Sequence, residues 1–285
     1  MQVIVHGGAG SAPDEPEPRQ GVLDEAAATG RAESTPVDAV EAAVRVLESS
    51  PRFNAGVGGA IQSDGVVRTD AGLMTSDREA GAACSMPGVE HAITVARAVA
   101  EETPHVLLAG ENAVEFADAF GVETGVDLRT DRTRERWADV EGLPESDDPR
   151  DHLDWLAGKF GGSDTVGAVA RQGERFATAT STGGRWLALA GRVGDVPQIG
   201  SGFYASPVGA ASATGAGEDI AKATLCRRAV RHLERGLDAG PAADLAIEEF
   251  GELTGSTAGV IVLDHDGNAG EAFNSEAMQT AVRSG

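Results

Sequence analysis

Residues 161–170, Gly-Gly-Ser-Asp-Thr-Val-Gly-Ala-Val-Ala, set the Asp164–Thr165 bond between a charge-rich, turn-rich stretch and an apolar run that reads as a buried strand. A second strand, Arg175–Thr182, follows the tight Gln172-Gly173 turn, so Thr165 stands at a strand's leading edge. A threonine in that place can simply begin the strand. It can also be a nucleophile if a base is supplied, because a neutral hydroxyl attacks poorly. Cleavage of the chain before Thr165 would free an α-amine with a pKa of about 8, which a modest downward shift makes a competent base at neutral pH. The same hydroxyl can make that cut by attacking the Asp164 carbonyl in an N→O acyl shift, and the glycines upstream suit the strained backbone this needs.

Outward from this point, Val3-Ile4-Val5 reads as a short strand that ends in a glycine loop, His6–Gly10. Thr35-Pro36 caps a helix whose apolar positions Val37, Val40, Val44 and Leu47 recur at helical spacing. Asp64-Gly65, between Ile61-Gln62-Ser63 and Val66-Val67-Arg68, and Asp266-Gly267, between Val260–Leu263 and Ala272-Phe273, read as hairpin turns. Helical patterns occupy Ile93–Glu102, Glu111–Phe120, Asp219–Glu234 and Ala242–Phe250, on either side of the strand-rich centre. From 121 to 163 charge is dense and apolar periodicity weak, which reads as a flexible linker or as a surface excursion with short helices around Trp137 and Trp155.

The chain has 285 residues, 41% of them hydrophobic, which suits one large domain of mixed α and β structure. Its longest apolar runs are far too short to cross a bilayer, and the N-terminus enters a strand at once, without the form of a signal peptide; a cytoplasmic protein is expected. Forty-five acidic residues against twenty-three basic ones give a formal charge of −22, which repels nucleic acids and anionic membranes. Lys159 and Lys222 are the only lysines, and an acidic, lysine-poor surface suits concentrated salt, so a halophilic source is expected. Cys84 and Cys226 stand apart from each other and from any ligand pattern, and read as small core residues.

Three hydroxyl- and glycine-rich blocks follow Thr165 in order: Ser181-Thr182-Gly183-Gly184, Gly191-Arg192-Val193-Gly194-Asp195 and Thr214-Gly215-Ala216-Gly217-Glu218. With His6–Gly10, Phe53-Asn54-Ala55-Gly56, Asp70–Met74 and Thr103–Leu108, they resemble the plant-type L-asparaginase/isoaspartyl peptidase family of N-terminal nucleophile hydrolases over most of the chain. The resemblance implies an α+β fold, a four-layer αββα sandwich. It also implies a single domain 1–285 cut between Asp164 and Thr165 into an α chain 1–164 and a β chain 165–285, and assembly as a dimer of αβ units. Thr165 would attack L-asparagine or a β-aspartyl dipeptide, forming a β-aspartyl ester that water opens.

By the same resemblance Thr182 orients the nucleophile, Asn54 holds its surroundings, and Thr214 with the Gly215 N–H forms the oxyanion hole. Arg192 and Asp195 would clamp the substrate's α-carboxylate and α-ammonium, chemistry that guanidinium and carboxylate suit, although the pair also reads as a mutual surface salt bridge. Gly217 would offer its carbonyl to the ammonium; Asn54 and Gly217 also suit turns. No cofactor is implied for catalysis, but a structural sodium held by backbone carbonyls between Leu47 and Gly58 is. Two departures from the family pattern are Ala216, where a larger polar residue is common, and Asp164, where many members have glycine.

Other classes fit less well. A glycosylasparaginase-like or taspase-like member would act on larger substrates. A serine hydrolase would need a G-x-S-x-G elbow to go with the His6–Gly10 loop, and none occurs. A non-enzymatic glycine-loop anion binder would need a complete phosphate motif, also missing.

Overall fold

The computed structural model describes residues 1–144, 146, 148–156 and 165–285. Asp164, and with it one side of the expected cut, lies outside the described residues. Ahead of Thr165 the chain forms β1 (Gln2–Gly10), α1 (Pro16–Arg31), α2 (Pro36–Glu48), β2 (Arg68–Thr75), β3 (Ala80–Pro87), α3 (Ala92–Glu102), β4 (Leu107–Ala109), α4 (Gly110–Ala119), α5 (Asp131–Ala138) and α6 (Pro149–Leu156). After it come β5 (Val166–Gln172), β6 (Arg175–Thr182), β7 (Phe203–Ser206), β8 (Gly209–Gly215), α7 (Gly217–Ala223), α8 (Leu225–Glu234), α9 (Ala239–Thr254), β9 (Ala258–Asp264), β10 (Ala269–Phe273) and β11 (Ala277–Arg283).

The strands make two sheets, one of seven in the order β11-β1-β5-β6-β2-β3-β4 and one of four in the order β10-β9-β8-β7. All pairings are antiparallel except β3 with β4. Apolar side chains of both sheets, among them Ile4, Val169, Phe176, Phe203, Ile261 and Leu263, form one core between them. A second core joins the seven-stranded sheet to α1–α4 through Leu23, Val40, Leu47, Leu73 and Ile93, and a third joins the four-stranded sheet to α7–α9 through Ile220, Val230, Phe250 and Val260. Strands β5 and β9 are covered on both faces, which is why Val166–Ala170 and Ala258–Leu263 are unbroken runs of small or branched residues rather than alternating ones.

The α2 helix begins as its sequence predicts: Thr35 Oγ1 accepts the Asp38 N–H at 3.2 Å, and Pro36 fills the first turn, where no N–H is needed. The hairpin at Asp266-Gly267 is present as β9–β10. Elsewhere the structure corrects the local reading. His6–Gly10 is not a loop: β1 continues through it and pairs with β11, a register shift between His6 and Ala9 absorbing the glycines. The turn at Asp64-Gly65 closes only a single bridge, Ile61 to Val67, before β2 starts at Arg68. The helix expected over Asp219–Glu234 breaks at Thr224, which takes a left-handed conformation with φ 50° between α7 and α8.

Helix α1 was not foreseen, because its buried residues Leu23, Ala26, Ala27 and Gly30 are mostly small and make a faint apolar stripe. Between 121 and 156 the chain carries α5 and α6, and Leu128, Leu156 and the two tryptophans Trp137 and Trp155 pack with Ile61, Val67 and Trp186. Both cysteines are buried and free, as read.

Candidate active site

Thr165 is 4% exposed, directly before the interior strand β5, which lies between β1 and β6. The two sheets come so close here that a Cβ on Gly167 would collide with Ser212 Oγ and His6 Nε2. Across this gap the Thr165 N–H donates to Thr214 Oγ1 at 3.2 Å, and the Ala9 N–H donates to the same oxygen at 3.3 Å. A hydroxyl offers two acceptor sites and one proton. With both acceptor sites of the fully buried Thr214 taken, its O–H is what remains, and that is a donor. Gly215 follows with φ +135°, and a Cβ there would lie 2.6 Å from Ala258 Cα and from Thr257 O; only glycine lets β8 turn here against β9.

Thr182 ends β6, opposite Asp70 of β2. Asn54 brackets the turn that follows: its Nδ2 donates to Gly184 O at 2.6 Å, its Oδ1 accepts Ala60 N–H at 2.7 Å, and its carbonyl accepts Gly183 N–H at 2.9 Å and, at a longer 3.4 Å, the Thr182 hydroxyl. The Gly184 N–H in turn donates to Thr182 Oγ1 at 3.1 Å. The structure thus brings Asn54 and Thr182 together.

Arg192 and Asp195 do not neutralise each other: among the described residues no ion pair or hydrogen bond joins them. The Arg192 Nε donates to Glu218 Oε1 at 2.7 Å, while its Nη2 is buried with no hydrogen-bond partner, and so is Asp195 Oδ2. Gly217 sits between the two side chains, and a Cβ on it would lie 2.8 Å from Arg192 Nη2 and 2.7 Å from Asp195 Oδ1, the carboxyl's other oxygen. Gly194 lies against the guanidinium, where a Cβ would come within 2.9 Å of Nη1 and Nη2. Leaving buried polar atoms unpaired is costly, and a ligand bearing both an anion and a cation would relieve both ends together.

The electrostatics agree. Burial pushes the Asp195 carboxyl up to about 7, opposed by its own backbone N–H and by Arg192 and reinforced by the charges of Glu218 and Asp70. Burial likewise raises Asp70 to about 7, against the Ser85 N–H, which it accepts at 2.7 Å, and against Arg192. Glu218 is held low by its hydrogen bond to Arg192. Three carboxyl groups therefore lie in the field of Arg192, and further positive charge beside them would favour the ionised forms of Asp195 and Asp70.

Four contributors escaped the sequence reading as individual residues. Asp70 and Glu218 were visible only as members of blocks. Gln62 and Glu48 gave no signal, because their hydrogen-bond partners, Gly191 and Ser181 among them, lie far along the chain. The fully buried Glu48 accepts the Ser181 hydroxyl at 2.6 Å and the Ile93 N–H at 3.0 Å, so α2, α3 and the end of β6 meet at one carboxylate. Among the described residues no cluster of histidine, cysteine and carboxylate side chains could hold a metal ion, and no helix is long and apolar enough to cross a membrane.

The whole chain, residues 1–285, matches the family model described as Asparaginase. It is 42% identical over 294 residues to a plant-type L-asparaginase of Pyrococcus furiosus, covering 99% of this chain and 95% of the relative. It is 39% identical over 290 residues to an isoaspartyl peptidase/L-asparaginase of Danio rerio, covering 98% and 91%, and 38% identical over 292 residues to the protein of that name from Bos taurus, covering 98% and 92%.

Proposed function

The chain belongs to the asparaginase family, and from that premise we propose a hydrolase that converts L-asparagine to L-aspartate and ammonia and cleaves β-aspartyl dipeptides. The observation that carries the reading is that the two side chains flanking Gly217 each hold a buried, unpartnered atom, Arg192 Nη2 and Asp195 Oδ2. They suit the α-carboxylate and α-ammonium that the two substrates share. The relatives' names do not favour the glycosylasparaginase-like alternative.

In the mechanism that fits, Thr165 Oγ attacks the β-carbonyl carbon while the α-amine of Thr165 takes the hydroxyl proton. The Thr214 O–H and the Gly215 N–H receive the negative charge on the carbonyl oxygen. The amine returns the proton to the departing nitrogen, leaving a β-aspartyl ester on Thr165, and water activated by the same amine then releases aspartate. Thr182 orients the nucleophile and Asn54 holds the turn behind it. The Gly217 carbonyl joins Asp195 at the ammonium.

This requires a free Thr165 amine, hence self-cleavage after Asp164 into chains 1–164 and 165–285. The burial of Thr165 and the bond from its nitrogen to Thr214 support it. The arrangement of two facing sheets with helix-bearing cores on either side supports the αββα sandwich of N-terminal nucleophile hydrolases. A structural sodium also fits: the carbonyl oxygens of Pro51 and Phe53 converge beside Gly58, 3.1 and 3.0 Å from where a Cβ would be. Such an ion would stiffen the loop that carries Asn54. A dimer of two-chain units in a salt-rich cytoplasm completes the proposal.

The purified protein should hydrolyse asparagine and β-aspartyl dipeptides and show two fragments meeting at Asp164/Thr165 by denaturing gel and intact mass. Thr165→Ala should remain one chain with no turnover. Turnover by Thr165→Ala, or exclusive turnover of a glycosylated asparagine, would overturn the reading.

A further inference from the structure

Arg192 lies in residues 183–202, a stretch between β6 and β7 built of turns and isolated bonds. A binding group on such a segment is only as well placed as whatever holds the segment. Here it is held by Ile61–Ser63, from the part of the chain that precedes Thr165. Leu187 N–H donates to Ile61 O at 2.9 Å, Ser63 N–H to Ala188 O at 2.9 Å, and Ala190 N–H to Ser63 Oγ at 3.0 Å.

Gln62 completes this edge with its side chain. It is 1% exposed, and its Oε1 accepts the Gly191 N–H at 2.8 Å while its Nε2 donates to the Arg192 carbonyl at 3.4 Å. A primary amide that offers an acceptor and a donor to two successive residues imitates a neighbouring strand and fixes both peptide groups. The orientation of the amide is itself determined. Arg68 Nη1 also donates to Oε1, at 2.9 Å, and since Arg68 and the Gly191 N–H can only donate, the oxygen must face them and the nitrogen must face Arg192 O. Arg68 is anchored by Asp64 through two bonds, at 3.0 and 2.7 Å. The turn at 62–66 is closed by its own backbone, Gln62 N–H to Val66 O and Gly65 N–H to Gln62 O, both 3.0 Å, so it does not need the side chain.

We propose that Gln62 is a positioning residue for substrate recognition: by bracketing the Gly191–Arg192 backbone it fixes where Arg192 presents its free Nη2, and so sets the preference for ligands bearing an α-carboxylate. Glu218 holds the other end of the same side chain through Nε. This rests on the reading of Arg192 as the α-carboxylate ligand. It adds that the α chain helps determine the specificity of a site whose binding groups lie on the β chain.

The test compares Gln62→Ala with the unaltered enzyme, using KM and kcat for L-asparagine and the inhibition constants of L-aspartate and of β-alanine, which lacks the α-carboxylate. Gln62→Ala should raise KM and the L-aspartate constant about tenfold, leave kcat within about twofold, and leave β-alanine unmoved. Gln62→Glu, which keeps the acceptor but turns a second oxygen toward Arg192 O, should act in the same direction. Should Gln62→Ala fail to fold, Arg68→Met removes the group that orients the amide and should raise KM about threefold with the same selectivity. An unchanged KM, a fall in kcat with KM intact, or equal shifts for L-aspartate and β-alanine would overturn the inference. Failure of the unaltered enzyme to hydrolyse asparagine or β-aspartyl dipeptides would instead overturn the proposed function.

Discussion

Thr214 Oγ1 stands 3.2 Å from the main-chain nitrogen of Thr165, so a hydroxyl of the four-stranded sheet is bound to the residue that opens β5, an interior strand of the other. Replacing Thr214 by valine keeps the shape but removes the acceptor for two buried N–H groups and the one remaining donor. We expect kcat to fall by about 10²–10³, as for loss of an oxyanion donor. Stability should fall by about 1–3 kcal/mol for unsatisfied buried groups. Thr214→Ser should restore most of both. Steady-state kinetics and urea titrations read the two effects separately.

Recognition should depend on pH through Asp195. The substrate ammonium needs the ionised carboxylate, whose pKa burial raises to about 7 in the empty site. Binding below that point must therefore release a proton. In Thr165→Ala, which cannot turn over, the affinity for asparagine should rise about tenfold between pH 6 and 8 and fall again once the ligand's own ammonium loses its proton. Calorimetry in two buffers of different ionisation enthalpy would detect the proton, and a flat profile would count against the assignment.

The same shift has a stability consequence of opposite sense. Asp195 and Asp70, both raised from 3.8 to about 7, hold protons in the folded protein that the unfolded chain has already lost. Fewer protons bound in the unfolded state means that ligand-free stability falls as pH rises through that interval. Asp195→Asn should remove part of the fall and so stabilise the protein at pH 8, while weakening asparagine binding. Melting temperatures across pH 4–8 would show it.

Gly217→Ala would set a methyl group between Asp195 Oδ1 and Arg192 Nη2, at 2.7 and 2.8 Å. We expect KM for asparagine to rise at least about tenfold, comparable with loss of one good polar contact, with two fragments still forming at 164/165. Normal KM in this variant would show that the substrate does not pass between those two groups.

Glu48→Ala strips the Ser181 hydroxyl and the Ile93 N–H of a common acceptor inside the protein. A loss of about 3 kcal/mol is expected, since more than one buried group is left unpaired. Glu48→Gln, which retains an acceptor oxygen, should cost less. Denaturant midpoints would order the two variants.

Much of this was legible in the chain because the signals are local. Thr35-Pro36 carries its own capping chemistry, Asp266-Gly267 its own turn, and the blocks around Thr165, Thr182, Arg192 and Thr214 their own residue types. What escaped depends on distant partners. Nothing near His6–Gly10 says that β11, at the far end of the chain, will pair with it and make a strand of a glycine run, with Val3 opposite Arg283. Nothing near Gln62 announces Gly191. The left-handed Thr224 that splits α7 from α8 is likewise a tertiary choice, since a threonine has little intrinsic reason to take it.

The strand order has a last consequence. Of the seven strands in the larger sheet, β11, β5 and β6 follow Thr165 whereas β1, β2, β3 and β4 precede it, so β1 is wedged between β11 and β5, and β2 borders β6. Pieces divided at that point are interleaved, and parting them would strip three ladders at once. Neither piece made alone could complete the sheet; each would show bare strand edges prone to aggregate. The scission proposed above would therefore have to be the final act of maturation, performed on a molecule already assembled, with the new terminus born in place.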